Sequence, residues 1–186
     1  MKLINEMSRN PIKILFTGDF CPHNRIEVLA KTSDYQSVFN DFIGVFKDND
    51  LNVTDLECPL TLSRNARRKT GPHQKADPSC IRLLRYTNIR LAALANNHIM
   101  DYGSEGLKDT INLCRYEGIQ VIGAGPDPAS ARKAFITTIK ERKIAIINAA
   151  DQEFLTAADN NYRANPIDPI DMYKDIQVSK KKADVV

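Results

Sequence analysis

Ile89-Arg90-Leu91-Ala92-Ala93-Leu94-Ala95-Asn96-Asn97-His98-Ile99-Met100-Asp101-Tyr102-Gly103 is the stretch on which the fold turns. It opens on an apolar run, Ile89 to Leu94, that reads as a buried strand, and Ser104 beyond it is placed to cap a helix. Between strand and helix stand an amide oxygen, an imidazole and a carboxylate. Open α/β sheets bind ligands outside the C-terminal ends of their strands, which is where these groups would lie. Asparagine oxygen suits a hard or borderline divalent cation, and histidine ligates metals or shuttles protons. The same residues also make an ordinary Asx-type turn followed by a surface histidine. The other strand ends decide between these readings.

Upstream, Ile12 to Thr17 reads as a first strand ended by Gly18-Asp19, and Leu51 to Leu56 as a second ended by Glu57-Cys58-Pro59. Between them Val38, Phe39, Phe42, Val45 and Phe46 recur at helical spacing, which predicts an amphipathic helix from about Tyr35 to Lys47 with a packed apolar stripe. Residues 58–76 are polar and basic, the longest loop and a candidate rim for a site. Asp77-Pro78 supplies a cap and a first-turn proline for the next helix. Downstream, Leu107, Ile111 and Cys114 share a helix face, Ile119 to Ile122 reads as a fourth strand, and Gly123-Ala124-Gly125 allows a close turn. Asp127-Pro128 opens a short helix. Phe135 to Ile139 and Lys143 to Ala149 form a hairpin joined through Glu141-Arg142, and Asp168-Pro169 caps a last helix running toward Lys182. Alternating strands and helices followed by a hairpin give an α/β domain with a mixed β-sheet.

A length of 186 residues holds one sizeable core. Residues 1–10 are expected to be an N-terminal extension and 11–186 part of a single domain. A net charge of +3 is too small to argue for a nucleic-acid partner. The basic cluster Arg64, Arg67, Arg68 and Lys69 reads first as a solvated loop and second as a contact for phosphate or a polyanion. Cys21, Cys58, Cys80 and Cys114 are widely spaced without a C-x-x-C pair, which argues against a zinc ribbon and a disulfide framework. No run reaches the length of a membrane span, so the chain as it stands reads as cytoplasmic, or as membrane-associated or extracytoplasmic if a leader has been removed.

Gly18-Asp19, Asp55-Leu56-Glu57 and Asn96-Asn97-His98 thus end three strands, and parallel pairing would bring them to one sheet edge. Carboxylates, an amide oxygen and an imidazole together suit a divalent metal ion.

The order G-D, D-L-E-C-P-L-T, L-A-N-N-H-I-M-D-Y-G and G-I-Q-V-I-G-A-G resembles the bacterial capsule and poly-gamma-glutamate synthesis proteins of the CapA (PgsA) type, relatives of the calcineurin-like metallophosphatases. The resemblance covers roughly Ile12 to Ala150 and implies a metallophosphatase-like layered sandwich. It implies Asp19, Glu57 and Asn97 as ligands of a divalent metal (Mn, Fe, Zn or Mg). It also implies His98 as the proton donor, with Asp101 either orienting it or capping the turn. Cys21 stands where those relatives carry the histidine of Asp-x-His; His23, Asn96 and His73 are, with Cys21, candidates for support or substrate binding. Later histidine motifs have no counterpart before Val186. The resemblance therefore implies a half-site for one metal, in a chain truncated at its C-terminus and prone to self-association through an open sheet edge.

Two functions follow as expectations. One is a metal-dependent, phosphoesterase-like hydrolase of capsule or poly-gamma-glutamate biosynthesis, little active by itself, with an anionic polymer or phosphoester as substrate and the capsule-synthesis machinery as partner. The other is a non-catalytic accessory module that holds the polymer or phosphate on its basic loop. A metal-free α/β domain whose polar strand ends bind nothing is the third reading.

Overall fold

The structure, a computed structural model, describes residues 11–151 and 162–186; the expected N-terminal extension and part of the irregular stretch after the hairpin lie outside them. β1 (Ile14–Phe20), β2 (Leu51–Leu56), β3 (Ile89–Ala93) and β4 (Gln120–Ile122) form one four-stranded sheet in the order β1-β2-β3-β4, every pair parallel. Three of the expected strand ends therefore do share one edge. β5 (Ala124–Gly125) pairs antiparallel with β8 (Arg163–Ala164), and β6 (Phe135–Ile139) with β7 (Arg142–Ile146), so the antiparallel pairs stand apart from the main sheet. The fold is a layered α/β one.

The layers follow from which residues face where. Leu56, Ala92 and Leu94 pack with Leu83, Leu84, Ile99, Met100, Leu107, Ile111 and Cys114 in the larger core, beneath α3 (Ile81–Tyr86) and α4 (Gly103–Tyr116). Leu51, Val53, Leu91 and Ile122 form a smaller core against Phe135, Ile139 and Ile146 of the hairpin. Period-two alternation in β2 and β3 splits the two sets between the faces.

Aspartate caps mark helix starts where the sequence places them. Asp77 accepts from Ser79 N at 2.8 Å ahead of α3, Asp127 from Ser130 N at 2.8 Å at α5 (Pro128–Arg132), and Asp168 from Ile170 N and Asp171 N at 2.9 Å at α6 (Pro169–Lys180). α4 differs. It begins at Gly103 (φ +61°) without a side-chain cap from Tyr102, and Ser104 falls inside the first turn instead of capping it.

Two other expectations need correction. After α1 (Arg25–Lys31), the stretch expected as a helix from Tyr35 to Lys47 breaks at Asn40, whose φ of 47° no right-handed helix accommodates. What forms is α2 (Tyr35–Phe39) and a 3₁₀ turn over Asn40–Phe46; Phe46 is buried, but Phe42 and Val45 are 57% and 45% exposed. The hairpin turns through Lys140-Glu141, one residue earlier than expected, both with positive φ, the conformation that matches strand twist in a two-residue loop. At the C-terminal end Val185 bridges Ile144 in parallel, with Ala145 N donating to Val185 O at 2.8 Å.

Candidate functional site

At the C-terminal edge of the sheet, Asp19 of β1 sits opposite Asp55 of β2, after a register shift at Gly18. Glu57 N donates to Phe20 O at 3.1 Å, so the two strands stay side by side as they leave the sheet. Asn96, buried, joins this pair to the end of β3. Its Nδ2 donates to Asp55 Oδ1 at 3.1 Å and to Leu56 O at 3.0 Å, while its Oδ1 accepts from His98 N at 3.2 Å and Ile99 N at 2.8 Å. Asn96 thus makes the Asx turn that the sequence allowed, and the same residue binds the acidic edge. Burial pushes the Asp55 carboxyl up to about 7, opposed by the Asn96 amide and reinforced by the charges of Asp19 and Glu57.

Asp101 has a fully buried side chain and acts as a hub. Its Oδ2 accepts from Gln74 N at 2.7 Å and lies 2.8 Å from His98 Nδ1, and its Oδ1 pairs with Lys69 Nζ. The side chains of His98 and Asp101 are thus in hydrogen-bond contact. The tautomer consistent with this contact carries its proton on Nδ1 and leaves Nε2 toward the acidic edge, 4.0 Å from Glu57 Oε1. Lys69 is the correction to the solvated-loop reading: its side chain is only 3% exposed. Further pairs strap the loop along α4, with Leu60 N donating to Thr110 Oγ1 at 2.9 Å, Thr61 Oγ1 to Asp109 at 2.5 Å and Ser63 Oγ to Glu105 at 2.7 Å. Arg64 and Arg68 remain exposed.

Asn97 is exposed in the loop after β3. Cys21 and His23 meet each other, with His23 Nδ1 3.1 Å from Cys21 Sγ. The Cys58 thiol, more than His23, lowers the Cys21 thiol to about 7 against burial, while Cys58 is pushed up. His73 does not join the dyad; its Nε2 lies 2.6 Å from Arg67 O and its ring packs edge-on to Tyr102. Gln74 and Asn148, which the sequence did not single out, shape the site, together with Asp55 of the second strand end and Lys69 of the basic loop. Asn148 Oδ1 accepts from Ala95 N at 2.7 Å, holding the start of the Asn-Asn-His loop. Gly123 makes room for it, since a Cβ there would stand 1.9 Å from Asn148 Oδ1. The Gly-Ala-Gly turn was the one signal of this close approach.

Carboxylates and amide oxygens are the donors that a hard divalent cation takes. Among the described residues, no group of three or more His, Cys, Asp or Glu side chains is gathered to hold a metal. A cation here would complete its shell from amide, main-chain or water oxygens, and Asn97 is exposed at the right edge to give one. The donors fit the ion in kind.

A family model described as bacterial capsule synthesis protein PGA_cap matches residues 13–186. The PGA biosynthesis protein CapA of Bacillus subtilis is 25% identical over 98% of this chain and 49% of its own length. A probable polyglutamine synthesis accessory protein of Mycobacterium tuberculosis is 30% identical over 64% of this chain and 32% of its own. The capsule biosynthesis protein CapA of Bacillus anthracis is 19% identical over 80% of the chain and 37% of its own. The chain spans half or less of the length of these relatives.

Proposed function

The chain belongs to the bacterial capsule synthesis protein family, and from that premise we propose that its sheet edge is a metal-assisted hydrolytic site acting in capsule or poly-gamma-glutamate biosynthesis. The observation that carries the reading is the His98–Asp101 pair, an imidazole held through Nδ1 by a buried carboxylate with Nε2 left toward the acidic edge. In the doubly protonated ring Nε2–H would be the proton donor to a leaving group, while Nδ1–H stays on Asp101. Asp19, Glu57 and Asn97 would hold the divalent ion. When bound, it supplies polarisation of a phosphoryl or acyl oxygen and a lowered pKa for water. This chain's own part is to keep His98 in one orientation through Asp101 and to anchor the loop through Asn96 and Asn148. The substrate class is an anionic polymer or a phosphoester on the way to it, handled alongside the capsule-synthesis machinery.

Calorimetric titration with manganese and elemental analysis test the ion; Asp19→Asn and Glu57→Gln should each weaken uptake. In the full-length protein, His98→Asn should cost roughly 10²–10⁴-fold in hydrolytic rate with metal content unchanged. A protein that takes up no divalent ion and loses nothing on His98→Asn sinks the reading. Arg64 and Arg68, exposed on the loop beside the site, favour a second one, in which the module holds the polymer without cleaving it. Charge reversal at both would then abolish polyglutamate binding in a metal-independent way.

A further inference from the structure

We propose that a groove along β1 binds an apolar chain, so that the ligand of the neighbouring edge is an amphiphile: a phosphomonoester of a long-chain alcohol. Its chain lies along β1 and its phosphate at the edge. The place of the phosphate rests on the hydrolytic-site reading, whereas the groove for the chain does not.

The groove has a volume of about 390 Å³ and follows β1 from Leu15 to Phe20, facing the segment after α2. That volume lies in the range of about 300–1,000 Å³ usual for small-molecule sites. Phe16, Phe20, Phe39, Phe42 and Phe46 line it, together with the buried Leu84. The break at Asn40 keeps it open, because Phe42 is not folded down onto the core. Phe16 on the strand is 60% exposed, so each wall presents an apolar ring to solvent. Rings exposed around a concave apolar surface mark a binding site more often than an ordinary surface.

The polar atoms of the lining select the occupant. Thr17 Oγ1 donates to Thr54 Oγ1 at 2.8 Å, and Thr87 Oγ1 donates to Leu83 O at 2.9 Å. These hydroxyls are spent inside the protein. A sugar or a peptide would exchange its water for few hydrogen bonds there. An alkyl or prenyl chain gives up nothing polar and gains from burial against the rings. The one charged side chain in the lining is Asp19, which sits opposite Asp55 at the C-terminal edge of the sheet. A chain lying along β1 therefore brings its head to the acidic edge. Those carboxylates repel a phosphate unless a divalent ion lies between them, so the head should need the ion and the chain should not.

A larger cavity of about 520 Å³, between α5, α6 and β6, is less suited. Its wall carries Lys133, Lys182 and the Arg132–Asp175 pair, 2.9 Å apart, and none of the edge residues.

The test is calorimetric titration of the folded chain with octyl, decyl and dodecyl phosphate, each below its micelle concentration. Affinity should rise about three- to fourfold per methylene, the effect of burying one. The rise should persist without manganese and in Asp19→Asn. Phe16→Glu and Phe42→Glu, both at exposed positions, should flatten it and leave manganese uptake unchanged. Dodecyl phosphate with a diazirine at its chain end should label residues 14–20 and 39–46. Affinity independent of chain length, or label confined to the α5–α6 cavity, overturns the groove. So does self-association that Phe16→Glu abolishes with no alkyl phosphate bound, since a second copy then covers the face. Chain-dependent binding by a protein that takes up no manganese supports the groove and overturns the place of the phosphate alone.

Discussion

Residues 58–76 and residues 35–47 exchange the roles their compositions suggest. The first is polar and basic, yet it carries a buried ion pair and is strapped to α4 by four side-chain bonds. The second is rich in Phe and Val at helical spacing, yet it breaks at Asn40 and leaves Phe42 and Val45 in solvent. Composition reports what a segment would bury if its backbone kept a regular period. Burial is decided by whether that period survives and by partners far along the chain. Asp101 shows the second condition: it takes Lys69 and the Gln74 amide from one loop and His98 from another.

The comparison is tested most strongly at Asp101. Asp101→Ala strands the Lys69 ammonium in a buried place and frees the Gln74 N–H, which should cost about 3–5 kcal/mol of folding stability. Replacing both partners, Lys69→Met with Asp101→Leu, should cost markedly less, because no charge is left alone. Urea unfolding midpoints at constant slope measure both. A loss below about 0.5 kcal/mol for Asp101→Ala, the size usual at exposed positions, would return the loop to solvent.

Next in size comes Phe46, the buried end of the broken stripe, packed edge-on to Phe39 with centroids 5.7 Å apart. Phe46→Ala should cost about 3 kcal/mol. Thr110→Val sharpens the other side. It keeps the shape of the side chain but removes the acceptor for the buried Leu60 N–H, so about 1–3 kcal/mol should be lost. If thermal melting shows Thr110→Val to be neutral, the strap along α4 contributes nothing and the loop is held by Asp101 alone.

The fold was legible where local chemistry decides structure. Asp-Pro pairs at 77–78, 127–128 and 168–169 open helices, apolar runs mark the strands, and parallel pairing brings Asp19, Asp55 and Asn96 to one edge. His98 and Asp101 were legible because they lie three residues apart on one turn. Lys69 and Asn148 were not, since each reaches its partner across 32 and 53 residues and carries no pattern of its own. Asn40 was missed for a different reason. Asn40 turns the backbone to φ 47° and ψ −132° without interrupting the apolar periodicity, so the pattern carries no sign of the break that ends the helix.

Val45 gives the smallest effect and the cleanest discrimination between a continuous helix and a broken one. A helix from Tyr35 to Lys47 with a packed stripe would hold Val45 against the core beside Phe46, and a polar replacement there would lose its transfer free energy. In the 3₁₀ turn Val45 is 45% exposed, and Phe46 is the one buried side chain of the segment. The carbonyl of Val45 accepts from Asn49 Nδ2 at 2.8 Å, a contact that a side-chain change leaves in place. Val45→Ser should therefore shift stability by no more than about 0.5 kcal/mol. A loss above about 1.5 kcal/mol, the size of burying a valine side chain, would restore the continuous helix and remove the contrast with the loop.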